Sequence, residues 1–197
     1  MRESVRMIVV LTLIAMISAG VLSSVYNFTN EIIQTNLASE LESSIFLVLP
    51  QAVSVRTIHP GVSTLVEDDR STLQETEGTV SIPVFEALDQ AGMPIGYAFV
   101  SEHTGYNGTI KVLVGVETAT ETITAVKVLE HLETPGLGSR IESASFLHQF
   151  VGKSATDPLT LNRDIDNISG ATVSAQAVVD AVRNGFPLAI KRYKEER

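Results

Sequence analysis

The chain has 197 residues, no cysteine and a formal net charge of −9 at neutral pH. The lack of thiols excludes disulfides, thiolate zinc sites and cysteine-ligated iron–sulfur clusters. The acidic balance argues against nucleic acid, which selects basic surfaces. Any redox role must therefore rest on an organic cofactor. No paired metal-ligand spacing occurs among the histidines, so no metal site is predicted: His59, His103, His131 and His148.

The first apolar segment, Met7 to Val25, contains no charged residue. As a helix it would reach roughly 28 Å, which is close to the thickness of a bilayer core. Arg2 and Arg6 precede it, so the positive-inside rule places the N-terminus in the cytoplasm and the remainder on the outer side. The alternative is a cleaved signal peptide, but the stretch is long for one and no Ala-x-Ala site follows it. We predict that residues 1–26 are a cytoplasmic N-terminus and a retained anchor in the inner membrane.

A second helix is predicted from Asn27 to Leu49, closed by Pro50. Its apolar residues recur at helical spacing: Ile32, Ile33, Leu37, Leu41, Ile45 and Val48. Residues 27–50 would connect the membrane to a domain formed by residues 51–197. Within that domain, Gln51 to Gly78 is polar and mixed and follows neither the helical nor the strand period.

From Val80 the pattern changes to that of β-strands. Four strands are predicted, joined by short turns: Ser81–Leu88, Ile95–Ser101, Thr109–Val116 and Thr122–Leu129. A helix from Ser139 to Phe150 follows, and a last helix starts at about Val173. In that last helix Gly185 and Pro187 are positions for a kink or an interruption. The predicted fold class is α+β: one N-terminal transmembrane helix, then an antiparallel sheet in a meander with helices packed on it.

The first of two motifs runs from Asp166 to Ser174, immediately before the last helix. It places the hydroxyl of Thr172 beside small residues. The start of a helix presents free N–H groups and a partial positive charge, so it is a natural seat for a phosphate. The alternative is that Ser169 and Thr172 only cap the helix.

The second motif, His131 to Gly138, lies between the fourth predicted strand and the helix that follows it. Pro135 fixes one backbone angle, and Gly136 and Gly138 allow turns that other residues avoid. Such a bare loop lets a flat ring lie against the main chain. The alternative is a tight strand-to-helix connection that binds nothing.

These motifs occur in the order of a known family, behind a single N-terminal span. The matching pieces are Gly105–Gly108 with Ile110–Gly115, Glu133–Gly138, and Asp166 with Ser169–Thr172. The chain resembles the FMN-binding family that includes the G subunit of the Rnf complex, an ion-translocating ferredoxin:NAD oxidoreductase, and the C subunit of the sodium-pumping NADH:quinone reductase. The resemblance covers nearly the whole chain. It departs at Asn107, where the family usually has glycine.

The resemblance implies that the phosphate of FMN is esterified to the hydroxyl of Thr172. Asp166, six residues earlier, would be recognised by a separate flavin transferase that attaches FMN from FAD with magnesium present. No catalytic residue and no metal ligand are implied. The other cofactor contacts would come from the two motifs and one turn: Ser169, Gly170, Ala171, Val173, Glu133, Thr134, Pro135, Gly136, Leu137 and Tyr106.

By the same resemblance the chain would carry electrons in a membrane-bound oxidoreductase, in contact with other membrane subunits. Its compact length favours the Rnf complex over the quinone reductase. The alternatives are the flavin subunit of the sodium-pumping quinone reductase, a free-standing exported FMN domain, and an anchored binding module without flavin.

Overall fold

A computed structural model describes residues 2–59 and 82–195 of the chain. Most of the unassigned segment Gln51–Gly78 and the predicted strand start at Ser81 lie outside the described residues. The chain divides into two units, Met1–Glu40 and Leu41–Arg197. Everything that forms the sheet and the candidate site belongs to the second unit.

The first helix, α1, runs from Arg2 to Val48 without a break. The predicted anchor and the predicted connecting helix are therefore one continuous helix, since no proline or glycine separates them around Tyr26. By length and composition the segment Arg6–Asn30, with a mean hydropathy of 2.4, can cross a membrane. The helix ends just before Leu49 and Pro50, as predicted, because a proline disfavours helical geometry in the residue before it.

Five strands form one antiparallel sheet in the order β1-β2-β3-β4-β5. They are β1 (Ser54–His59), β2 (Val84–Leu88), β3 (Pro94–Thr104), β4 (Thr109–Glu117) and β5 (Thr122–Glu130). The predicted meander and α+β class are confirmed. The prediction missed β1, a short edge strand whose only apolar side chains, Val55 and Ile58, are half-buried. Such a strand carries little of the apolar alternation that identifies a strand in a sequence.

The two faces of the sheet bury different side chains. Along β3, Tyr97 and Phe99 face a large core that includes the last helix of the chain, whereas Ala98 and Val100 face the end of α1. This alternation follows from the period of two along a strand. The last turn of α1 is held on its face by Thr124, whose hydroxyl donates to the carbonyl oxygen of Val48 at 2.6 Å.

The single helix predicted for Ser139–Phe150 is wrong. The segment contains a 3-10 turn (Gly138–Glu142), a short helix α2 (Ala144–Leu147) and a second 3-10 turn. Ser143 breaks the run with an extended backbone, φ −64° and ψ 136°. In a continuous helix Ile141 and Phe146 would point roughly 140° apart. The break lets both side chains enter the core, where each is at most 2% exposed.

The last helix, α3, runs from Thr172 to Glu195. The Cβ that Gly185 lacks would lie 2.6 Å from the Cβ of Ser101, so the glycine permits close packing on β3. The Ser101 hydroxyl donates to the Ala181 carbonyl at 2.8 Å. The predicted interruption at Pro187 does not occur. Pro187 lies on the exposed side of the helix, where water can bond the carbonyl that a proline leaves unpaired.

Candidate functional site

The first turn of α3 is open to solvent. Thr172 is its first residue and is exposed, as is Val173. Gly170 turns the chain into the helix with φ +82°, a value that suits glycine because it has no Cβ. The amide of Ala171 already donates to the Ile168 carbonyl at 2.9 Å. The amides that helix geometry leaves without a carbonyl are therefore those of Thr172, Val173 and Ser174.

The Thr172 hydroxyl has a hydrogen-bond donor that the sequence analysis did not single out. The side-chain amide of Asn167 donates to Thr172 Oγ1 at 3.0 Å, while its Oδ1 accepts the amide proton of Ile168 at 2.8 Å. The only signal in the sequence was the presence of an asparagine five residues before Thr172, close enough along the chain for its side chain to reach the hydroxyl. Asp166 is exposed, and its amide donates to Gln149 Oε1 at 2.6 Å.

The upstream loop, Glu133–Leu137, lies within the second motif, and Glu133 is its buried residue, with 4% of its surface exposed. Its Oε1 accepts the amide protons of Tyr106 at 2.7 Å and Asn107 at 3.1 Å. Its Oε2 accepts the hydroxyl proton of Ser174 at 2.7 Å. The carboxylate thus points inward, and the main chain of its loop faces outward.

Burial alone would raise the pKa of Glu133, but the net pKa is lower than the ordinary value. The Ser174 hydroxyl, the amides of Asn107 and Tyr106, and the charge of His131 all stabilise the ionised form and outweigh the burial. The carboxylate is therefore ionised at neutral pH. It places a fixed negative charge on the inner side of the loop.

The rest of the upstream loop is exposed. Thr134, Pro135, Gly136 and Leu137 all lie at the surface. Gly136 has φ +75°, with nothing within 4 Å of the position its Cβ would take. The loop therefore offers bare backbone to solvent, as the sequence predicts for this segment.

Two contacts bring the loop against the start of α3. A methyl carbon of Leu137 lies 2.9 Å from the position a Cβ on Gly170 would take. The Arg140 guanidinium donates to the carbonyl oxygen of Ser169 at 3.2 Å. The two motifs, separated by about thirty residues of chain, are neighbours in space.

A third segment, the β3–β4 turn, joins them. Its Tyr106 is 72% exposed, and its Asn107 side chain donates to Thr134 Oγ1 at 3.2 Å. Every residue predicted to contact a cofactor thus lies in one of three adjacent segments. Together these segments form a shallow surface with an exposed hydroxyl, open amides and bare backbone.

The sequence matches known proteins over this region and beyond. Residues 105–186 match the FMN-binding domain family. The G subunit of an ion-translocating oxidoreductase complex from Methanosarcina acetivorans is 32% identical over 185 residues, covering 93% of this chain and 93% of that protein. The protein of the same name from Cereibacter sphaeroides is 33% identical, covering 90% of this chain and 80% of its own length.

The chain belongs to the family of G subunits of ion-translocating oxidoreductase complexes. The resemblance predicted from the matching pieces between Gly105 and Thr172 is thereby confirmed. The matched FMN-binding domain of this family member begins at Gly105 and ends at Phe186, so it contains the β3–β4 turn, the upstream loop and the segment Asp166–Ser174.

A solved structure has the same fold as this family member. The crystal structure of Shewanella oneidensis NqrC matches it with a TM-score of 0.58 at 21% identity, covering 77% of this chain and 93% of that one. At this identity the match shows a shared fold.

Proposed function

We propose that the chain is the electron-carrying flavin subunit of a membrane-bound, Rnf-type ion-translocating oxidoreductase, with FMN attached through its phosphate to Thr172. One observation carries the proposal: an exposed hydroxyl stands on the first residue of a 24-residue helix, beside a loop of bare backbone. The family's FMN-binding domain spans both. When bound, FMN supplies one- or two-electron transfer.

The residues around Thr172 suit a phosphate ester. Open amides and the helix dipole favour an anion at this end of α3. Ser169, Gly170 and Ala171 are small and leave the hydroxyl accessible, and the Arg140 guanidinium bonded to the Ser169 carbonyl adds a positive charge nearby. A covalent bond would keep the cofactor on an exported domain, where a dissociable one would be lost.

The ring of the flavin would lie against the main chain of the upstream loop, from Glu133 to Leu137. That segment is exposed apart from the inward Glu133 side chain, and Tyr106 stands beside it on the adjacent turn. A shallow, solvent-facing site of this kind suits electron exchange with a neighbouring protein of the complex. It would not enclose a substrate, which agrees with a carrier that has no catalytic residues of its own.

Maturation would require a flavin transferase that takes FMN from FAD with magnesium. Asp166 is exposed six residues before Thr172 and so is available to such an enzyme. The backbone near Asp166 is held by Gln149 rather than by the carboxylate. A role for its carboxylate in recognition by the transferase is therefore compatible with an undisturbed fold.

The segment Arg6–Asn30 would anchor the chain as a single-pass protein of the inner membrane. Arg2 and Arg6 would hold the N-terminus in the cytoplasm, which places the domain on the outer, periplasmic side. Its partners would be the other membrane subunits of the complex. The relatives from ion-translocating oxidoreductase complexes support this placement over the sodium-pumping quinone reductase because they match the chain over nearly its full length.

The proposal is tested by purifying the full chain from its native membrane in mild detergent. Peptide mass spectrometry of the denatured sample should find FMN on the peptide that contains Thr172, and the co-purified subunits should be those of one ion-translocating complex. Flavin that leaves on denaturation would refute the ester. A flavinylated chain recovered without membrane partners would instead support the free-standing domain.

A further inference from the structure

Three segments that are distant in the sequence meet on one carboxylate. Glu133 Oε1 accepts two amide protons of the β3–β4 turn, from Tyr106 and Asn107. Glu133 Oε2 accepts the hydroxyl proton of Ser174, in the first turn of α3. Glu133 itself belongs to the upstream loop. Its side chain is thus the point at which the three parts of the site are joined.

Two glycines leave room for this carboxylate. A Cβ on Gly105 would collide with Glu133 Oε1 and would lie 2.6 Å from Ile110 Cδ1. A Cβ on Gly138 would lie 2.8 Å from both Glu133 Cβ and Oε2. Both distances are shorter than side-chain carbons tolerate, so alanine at either position would displace the carboxylate or the backbone. The observed position of the Glu133 carboxylate therefore depends on glycine at both positions.

Ser174 lies two residues after Thr172, in the same helical turn. A displacement of the Glu133 carboxylate would therefore be transmitted to the helical turn that carries Thr172. The other two hydrogen bonds of the Glu133 carboxylate hold the β3–β4 turn, which lies next to the upstream loop. A fully bonded buried network of this kind fixes one arrangement of the groups that it joins.

We propose that Glu133 is a positioning residue whose carboxylate sets the separation between the first turn of α3, the upstream loop and the β3–β4 turn. Its charge also acts on the flavin ring from the inner side of the upstream loop. The proposal rests on the proposed function for its second half only. The joining of the three segments is a property of the chain before any flavin is attached. The fixed charge is expected to lower the midpoint potential of bound FMN, because a nearby anion opposes electron uptake.

The first experiment uses the full chain in nanodiscs, produced without a flavin transferase. Hydrogen–deuterium exchange is measured by mass spectrometry on peptides that cover the β3–β4 turn and the start of α3. Glu133→Ala should accelerate exchange at least about tenfold in both peptides, as expected when hydrogen bonds to a charged group are lost. Glu130→Gln is the matched control, since Glu130 is exposed and paired with Lys111 at 2.9 Å, and it should leave both peptides unchanged.

A second variant keeps the test valid if Glu133→Ala does not fold. Ser174→Ala removes only the bond that links the helix to the carboxylate. It should accelerate exchange at the start of α3 and, more weakly, in the β3–β4 turn. Unchanged exchange in the β3–β4 turn, in whichever of the two variants folds, would overturn the positioning role.

The second experiment uses the same chain after flavin attachment. Glu133→Gln keeps the size of the side chain and its acceptor oxygen but removes the charge. It should raise the midpoint potential of the attached FMN, while Glu130→Gln should not. An unchanged potential in Glu133→Gln would overturn the electrostatic half. If the wild-type chain takes up no flavin, the proposed function fails and the exchange experiment still decides the positioning role.

Discussion

Helix α3 has a buried glutamate packed at each of its two ends, and the two differ in how their charge is met. At the N-terminal end, the carboxylate of Glu133 accepts hydrogen bonds from the amides of Tyr106 and Asn107 and from the hydroxyl of Ser174. At the C-terminal end, Glu86 accepts the hydroxyl proton of Tyr193 at 3.2 Å and also pairs with the Arg56 guanidinium. Both carboxylates are at most 4% exposed.

This difference separates the end of the helix that carries the proposed attachment residue, Thr172, from an end that is held by an ion pair and aromatic packing. The Arg56 cation neutralises Glu86, and the ring of Tyr193 stacks on Tyr97 with centroids 4.5 Å apart. These residues leave no reactive hydroxyl at the surface. At the other end the charge of Glu133 is met mainly by hydrogen-bond dipoles, with a smaller contribution from the charge of His131. The exposed hydroxyl of Thr172 lies two residues before Ser174, which bonds to this carboxylate. A buried carboxylate thus holds each end of the helix, and the N-terminal end also presents an exposed hydroxyl.

The largest expected effect is the loss of covalent flavin when the hydroxyl at the N-terminal end of α3 is removed. Removal of a hydroxyl at the C-terminal end is the comparison. Thr172→Ala should abolish covalent flavin, because it deletes the oxygen that would form the ester, and it should leave the melting temperature unchanged. Tyr193→Phe removes a hydroxyl at the opposite end and should keep full flavin. In-gel flavin fluorescence after denaturation is the measurement. Fluorescence in the Thr172→Ala chain would contradict the assignment of the anchor.

Removing the Glu86 carboxylate at the C-terminal end of α3 should have the opposite result, with stability lowered and flavin attachment unchanged. Glu86→Ala leaves the Tyr193 hydroxyl without this acceptor and opens a cavity, which should destabilise the domain by about 2 kcal/mol. Arg56 adds little to the loss because its side chain is 68% exposed and water can solvate it. Flavin attachment should remain complete. Glu102→Ala, an exposed position on β3, is the control, and chemical denaturation is the measurement; equal stability of the two variants would refute this role of Glu86.

Substitution of two neighbouring aspartates should separate an effect on the rate of flavin attachment from an effect on the stability of the domain. Asp166 is exposed, and Asp166→Ala should slow flavin attachment several-fold at limiting transferase, with a change in stability within about 0.5 kcal/mol. Asp164 Oδ2 accepts the amide proton of Thr160 at 3.0 Å. Asp164→Ala should therefore lower the melting temperature and leave the attachment rate alone. The same rate in both variants would remove Asp166 from the recognition of the chain.

Two glycines of nearly equal geometry test the loop as the ring site. Gly136 has φ +75° and Gly92, in the β2–β3 turn, has φ +73°, and both have open space around the missing Cβ. Valine at either position should cost about 1–2 kcal/mol of backbone strain. Only Gly136→Val should shift the midpoint potential of the attached flavin, because only that side chain would stand where the ring lies. Equal potentials in the two loaded variants would show that the ring lies elsewhere.

The smallest effect is expected in the dependence of stability on pH. The pKa of Glu133 is below its ordinary value of about 4.5 in the folded chain. Its contribution to stability is therefore complete above that value and is lost as the pH falls through the lower, folded pKa. Melting followed by circular dichroism should show a shallower loss of stability in this acid range for Glu133→Gln than for the wild-type chain. If stability falls equally with pH in the two chains, folding does not stabilise the ionised form of Glu133.

Local patterns predicted much of the fold. Alternating apolar residues located β2 to β5 within a few positions, and the short turns between them implied antiparallel pairing. The sequence missed β1, in which Val55 and Ile58 are too few to show a period. The sequence pattern also predicted one helix from Ser139 to Phe150. No local signal at Ser143 indicates the break that lets both Ile141 and Phe146 enter the core.

The candidate site divides in the same way. The sequence by itself determined where candidate groups stand along the chain: the Thr172 hydroxyl, the small residues before it, the bare loop around Gly136 and the apolar segment near the N-terminus. Residue type and short spacing set all of these, and they carry the predicted chemistry. Only the tertiary structure decided that the Glu133 side chain turns inward, that Leu137 packs against Gly170 and that Asn167 donates to Thr172. The bonds of Glu133 join residues 26 to 41 positions apart. Contacts over such separations depend on which segments pack together, and a pattern of neighbouring residues does not contain that information.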